Sequence, residues 1–238
     1  LFCSAAANTL EGSLGDDWFG GGPGNDTLDG GGGTDIAFYM TAASAITVDL
    51  VAGTATDGLG GTDALTGIEG AAGNDGDDLF TGNDADNWFG GGGGNDTLIG
   101  GEGFDWAFHV LYSQGVIVDL GAGTSDAGAG NADTLSSIEG VFGTSFADTL
   151  IGSAADESFL GSTGADSIVA GGGWDRSLYH SGSGPISVTG DGSGGDGVYT
   201  VNDGSGTDTL SGIDEIVGSI FADTITGRMM AAGETEII

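Results

Sequence analysis

Gly21 to Asp29, GGPGNDTLD, constrains this chain more than any other stretch; it reads Gly-Gly-x-Gly-x-Asp-x-U-x, with U an apolar residue. Glycines at 21, 22 and 24 admit the positive φ values of a tight turn and leave carbonyl oxygens facing a small cavity. Asp26 adds a carboxylate. A hard cation such as Ca²⁺ takes roughly six to eight oxygens at ~2.3 to 2.6 Å, which turn carbonyls and an acidic side chain can supply. Leu28 turns inward while Thr27 and Asp29 turn outward, because side chains alternate across a strand. Each nonapeptide therefore predicts one ion-binding turn followed by one very short strand.

The pattern recurs at two nested periods. Residues 70 apart match without a gap over the first two units, as in Trp18 with Trp88, Asp26 with Asp96, Asp63 with Asp133, Ile68 with Ile138 and Glu69 with Glu139. A third unit keeps the spacing at Asp166 and Asp175, then takes five extra residues between Thr189 and Asp208. Three blocks result, 8–77, 78–147 and 148–222, with 1–7 as the end of a preceding block and 223–238 as a C-terminal cap or tail. Within a block the period is nine. The acidic position carries Asn8, Asp17, Asp26 and Asp35, then Asp78, Asn87, Asp96 and Asp105, then Asp148, Glu157, Asp166 and Asp175. The inward position carries Leu10, Phe19, Leu28 and Ala37, then Phe80, Phe89, Leu98 and Ala107, then Leu150, Phe159, Ile168 and Ser177. Between these groups, segments such as ITVDL (46–50) and DALTGIE (63–69) alternate as half-buried strands do.

Three-residue strands cannot hold a sheet alone, but stacked coil on coil they enclose a continuous apolar interior. The expected fold is all-β, a single continuous β-solenoid over 1–238 built from three blocks of about 70 residues. Glycine is too frequent for a helix to survive.

Charge bounds the function. The chain holds 36 Asp plus Glu against two Arg and no Lys, a formal charge of −34. Nucleic-acid binding needs Lys and Arg and is excluded as an expectation. Carboxylates about 5 Å apart repel by roughly 1 to 3 kcal/mol each, so a compact fold needs counter-cations. Cys3 is alone and forms no intrachain disulfide. No apolar run approaches the ~20 residues of a membrane span, and no signal-peptide pattern opens the chain. Neither HExxH nor G-x-S-x-G occurs, and no catalytic constellation is expected. His109 aligns with Tyr39 and Tyr179, which makes it a packing residue rather than a ligand. Trp18 and Trp88 stand at outward positions.

The turns GGPGNDTLD (21–29), GGGGTDIAF (30–38), GGGGNDTLI (91–99) and GGEGFDWAF (100–108) resemble the RTX, or hemolysin-type, calcium-binding repeats of bacterial secreted proteins. The resemblance implies a right-handed parallel β-roll with Ca²⁺ between each turn and the turn one coil later. It pairs Asn8 with Asp26, Asp17 with Asp35, Asp78 with Asp96, Asn87 with Asp105, Asp148 with Asp166, and Glu157 with Asp175. Carbonyls from Gly21, Gly24, Gly30, Gly91 and Gly100 complete about six sites. Asp26 faces the neutral Asn8 behind the glycine-free CSAAAN, so Asp78 with Asp96 is the stronger expected pair; turns of the third block such as GSAADE are poorer in glycine and predict weaker binding. The implied role is a structural module that leaves the cell unfolded by type I secretion and folds on extracellular Ca²⁺. Two settings follow: a cell-surface or extracellular assembly (adhesin, surface layer or filament) whose units stack end to end, or the non-catalytic region of a secreted protease, lipase or alginate epimerase.

Overall fold

The computed structural model describes residues 5–128, 131–179, 184–190 and 197–226. Cys3, His180, Arg228 and the expected tail beyond 226 lie outside them. Every regular element described is a strand, most of three residues, and no helix among the described residues is long and apolar enough to cross a membrane. Backbone packing divides the chain into two compact units, Leu1–His109 with Gly128–Ile138, and Val110–Ala127 with Glu139–Ile238.

In the first unit, one sheet runs in the order Thr9–Glu11, Thr27–Asp29, Thr62–Thr66, Thr54–Thr56, Thr47–Asp49, Leu79–Thr81, Thr97–Ile99, Asn131–Ser136. The facing sheet runs Trp18–Phe19, Ile36–Phe38, Gly70–Ala72, Trp88–Gly90, Trp106–Phe108. The nonapeptide strands pair in parallel at a register of 18, Leu10 opposite Leu28 and Phe80 opposite Leu98. The second unit repeats the scheme. Thr149–Ile151, Ser167–Val169 and Thr207–Ser211 pair in parallel on one sheet, and Gly140–Phe142, Ser158–Leu160, Arg176–Leu178 and Glu215–Val217 on the other.

The strand residues expected to point inward do so: Leu28, Ala37, Phe80, Phe89, Ala107, Leu150 and Phe159 are fully buried. Val48, Val118, Val188, Leu65, Leu135 and Leu210 of the linking segments join them. Each large side chain so buried contributes about 1.5 to 3 kcal/mol, and Phe80 and Phe89 meet at 5.6 Å between ring centroids. Outside, Trp18 is 56% exposed, whereas Trp88 and Trp106 stack at 5.0 Å with planes 7° apart.

The linking segments depart from simple coil stacking. Thr47–Asp49, Thr54–Thr56 and Thr62–Thr66 form an antiparallel meander. The last of these strands pairs in parallel with Thr27–Asp29 behind it, the first with Leu79–Thr81 ahead. The chain skips forward and doubles back. Antiparallel neighbours need only tight turns, whereas a parallel neighbour requires a crossover to the other face; Gly53 at φ 65° supplies one such turn. Ser187–Gly190, Val198–Asn202 and Thr207–Ser211 repeat the meander in the second unit.

Candidate calcium turns

The six expected pairs 18 residues apart all come together, joined by one recurring bond. The backbone N–H of the earlier residue donates to Oδ1 of the later carboxylate: Asn8 to Asp26 at 2.7 Å, Asp17 to Asp35 at 2.7 Å, Asp78 to Asp96 at 2.8 Å. Asn87 to Asp105, Asp148 to Asp166 and Glu157 to Asp175 follow at 2.7, 2.9 and 2.9 Å. Such charge-assisted bonds hold each carboxylate in a fixed orientation.

The ladder continues where only linking strands were expected. Asp26, Asp96 and Asp166 donate their own N–H to Asp63, Asp133 and Asp208 at 2.9, 3.0 and 2.9 Å. On the opposite edge Asp35 donates to Glu69 at 2.9 Å and Asp175 to Asp214 at 3.0 Å. A site built from the nonapeptides alone misses these residues, and the signal for them was the 70-residue register of Asp63 with Asp133. A second, exposed column is also absent from the nonapeptide reading. Asp16, Asp77, Asp86 and Asp156 accept from the N–H groups of Thr34, Asn95, Phe104 and Trp174, each 18 residues later, at 2.7 to 2.8 Å.

The turns fall into two kinds, divided by their second residue. Where that residue is Ser13, Asn74, Thr144 or Ser219, its N–H donates to Oδ2 of Asp17, Asp78, Asp148 or Asp223 at 2.7 to 3.0 Å. Asn83 does the same for Asn87 Oδ1 at 2.8 Å, and Ser153 for Glu157 Oε1 at 3.1 Å. Asp78 and Asp148 take a further N–H on Oδ1, from Ile46 and Val116, so both their oxygens are satisfied by the chain itself. These turns close on themselves.

In the other kind the second residue is left-handed: Gly22 (φ 79°), Gly31 (φ 90°), Gly92 (φ 94°), Gly101 (φ 117°), Ser162 (φ 75°) and Gly171 (φ 105°). A left-handed residue turns its peptide away from the carboxylate. Here Oδ2 of Asp26, Asp35, Asp96, Asp166 and Asp175 is buried without a hydrogen-bond donor. Glu157 reaches a mixed result through its longer arm, with Oε1 bonded and Oε2 left over. Asn8 Oδ1 is likewise buried and unbonded.

Leaving a buried anionic oxygen unsatisfied costs about 1 to 3 kcal/mol or more, so these atoms need a partner. Main-chain carbonyls stand near such oxygens. A methyl on Gly30 would overlap the Gly67 carbonyl and lie 2.5 Å from Asp35 Oδ2, and one on Gly100 would overlap Asp105 Oδ2 and the Ser137 carbonyl. Methyls on Gly21 and Gly91 would overlap Oδ2 of Asp26 and Asp96. At Gly21, Gly30, Gly91 and Gly100 the first residue of the turn thus has no room for a side chain, whereas the turn ending in Asp175 carries Ala170 there. Gly21 does not adopt the positive φ that its sequence predicts, whereas Gly22 and Gly24 (φ 139°) do.

Burial pushes the Asp96 and Asp166 carboxyls up to about 8, and Asp78 up to about 6. A nearby cation reverses that shift. Among the described residues no three His, Cys, Asp or Glu side chains gather into a metal cage, so a bound cation must draw on main-chain carbonyls. All the oxygens are hard, and the donor set fits Ca²⁺. His109 is buried at the place that Tyr39 and Tyr179 occupy. Those tyrosines donate their hydroxyls to Asp63 and Asp208 at 3.0 and 2.8 Å.

A family model described as the RTX calcium-binding nonapeptide repeat (4 copies) matches residues 4–37, 72–107, 142–175, 151–183 and 209–228. No curated protein matches the chain.

Proposed function

Because the chain belongs to the RTX calcium-binding nonapeptide-repeat family, we propose that its calcium-binding structural module takes one Ca²⁺ at each turn with a left-handed second residue. Those turns end in Asp26, Asp35, Asp96, Asp105, Asp166 and Asp175, which makes six ions. The observation that carries the reading is the buried Oδ2 of Asp26, Asp35, Asp96, Asp166 and Asp175, left without a donor, against the bonded Oδ2 of Asp78 and Asp148. Asp17, Asp78, Asn87, Asp148 and Glu157 hold the partner turn in place through their N–H groups and self-closed loops. Carbonyls of Gly21, Gly24, Gly30, Gly91 and Gly100 complete the coordination. When bound, Ca²⁺ would supply positive charge that offsets the buried carboxylates; the chain's residues supply and orient the oxygens that would coordinate it.

The module works outside the cell, where Ca²⁺ is roughly millimolar and such sites fill. Binding energy there becomes folding energy. Its setting is a cell-surface or extracellular assembly in which units stack end to end, tested by light scattering with and without Ca²⁺; a strict monomer at high concentration counts against stacking. The central reading is tested by far-UV circular dichroism during a Ca²⁺ titration. The expected result is a coil spectrum in excess chelator turning to β on Ca²⁺ addition. A chain already β-rich in chelator overturns it.

A further inference from the structure

On the outer face of the facing sheet in the first unit, the nonapeptides carry aromatic rings that the core leaves out. Alternation sends Phe19, Ala37, Phe89 and Ala107 inward and Trp18, Phe38, Trp88, Trp106 and Phe108 outward. Trp18 is more than half exposed and meets Phe38 at 5.0 Å between ring centroids. The stacked Trp88 and Trp106 are part-exposed, and Phe104 meets Trp106 at 5.6 Å. Two residues ahead of Trp18 and of Trp88, where alternation returns to the same face, stand the exposed carboxylates of Asp16 and Asp86. Each is held by an N–H one coil on, from Thr34 or Phe104, at 2.8 Å. A fixed carboxylate therefore accompanies each outward ring.

The coil does not require these rings. In the third block the strand pair equivalent to Trp88 with Trp106 is Ser158 with Arg176, in the same parallel register. Charge selects the class of partner. Six Ca²⁺ would offset less than half of the formal charge of −34, and no Lys or Arg occurs before Arg176. Indole faces attract cations, and a guanidinium both stacks on a ring and bonds a carboxylate through its planar fork. Trp18 and Trp88 lie three strands apart in the sheet, about 14 Å at the ordinary strand spacing. An extended peptide covers that distance in about four residues and returns its side chains to the same side.

We propose that the aromatic face of the first unit docks an extended basic polypeptide segment, with one Arg on Trp18 beside Asp16 and a second, four residues on, on Trp88 beside Asp86. This goes beyond the calcium-binding reading and is followed by a different signal.

The test titrates the Ca²⁺-loaded full chain with a capped Arg-Ser-Gly-Ser-Arg peptide, following the tryptophan indole N–H signals by NMR. This peptide is expected to bind more tightly than its isomer Arg-Arg-Ser-Gly-Ser. Trp88→Leu and Asp86→Asn are each expected to weaken it about 3- to 30-fold, and Glu11→Gln, which removes an exposed charge on the other sheet, to leave it unchanged. Equal affinity for the two peptides, or an equal loss in Glu11→Gln, overturns the docking face in favour of diffuse charge. Shifts with neutral cellohexaose but not with the peptide overturn it in favour of a carbohydrate surface, and no shift with either overturns it outright. If Trp88→Leu does not reach the parent's circular dichroism spectrum, Asp86→Asn decides, because its amide oxygen still accepts the Phe104 N–H.

Discussion

Ser162 and Ser137 are the only described residues other than glycine with positive φ, at 75° and 51°. A left-handed L-residue costs roughly 1 to 2 kcal/mol, part of which glycine gives back through its larger unfolded-state entropy. Ser162→Gly and Ser137→Gly are each expected to stabilise the Ca²⁺-loaded protein by about 1 kcal/mol, read as a higher denaturation midpoint. Asp96 and Asp166 carry a second consequence. Their folded pKa of about 8 lies above the ordinary 3.8. In the metal-free chain the stability they contribute is therefore fully present below pH ~3.8 and is lost as pH rises through ~8. Ca²⁺ requires the deprotonated carboxylates, so its binding releases protons. The expected outcome is opposite pH trends: in chelator more β structure at pH 5 than at pH 9, and in Ca²⁺ titrations tighter binding as pH rises over the same range. Parallel trends by circular dichroism and calorimetry would contradict this assignment.

Among the elements, the linking meander is anchored to the first block's turns through a tyrosine. Tyr39 donates to Asp63 at 3.0 Å, while Asp63 also receives the Asp26 N–H at 2.9 Å. Tyr39→Phe keeps the packing but strips Asp63 of a donor, and is expected to cost about 1 to 3 kcal/mol in urea unfolding of the Ca²⁺-loaded chain. An unchanged midpoint would show that Asp63 finds another partner. The strands themselves were legible in the sequence. Leu28, Phe80 and Leu98 read as inward from alternation alone, because a three-residue strand between glycine turns leaves one side chain to bury. The meander's reversal was not legible. ITVDL and DALTGIE alternate alike whether they pair in parallel or antiparallel, and alternation reports a face, not a direction.

For the whole molecule, the formal charge of −34 makes cation removal the dominant perturbation. Screening by salt is a separate effect, since 1 M salt shortens the Debye length to about 3 Å without entering buried sites. The chelated chain is accordingly expected to stay largely unfolded in 1 M NaCl and to fold on millimolar Ca²⁺; recovery of the β spectrum by NaCl alone would mean that repulsion, not coordination, sets the folding threshold. Spacing in the sequence determined the all-β class and the inward residues, because short strands between glycine turns leave one face to bury; the pairing of acidic positions 18 apart came from the family resemblance. Only the tertiary structure decided what each carboxylate does there. Asp78 and Asp96 occupy the same place in their nonapeptides, yet Asp78 bonds both oxygens to the N–H groups of Asn74 and Ile46 while Asp96 buries one without a donor. The physical reason is the backbone sense of the residue four positions earlier, Asn74 or the left-handed Gly92, which aims a peptide N–H at the carboxylate or away from it.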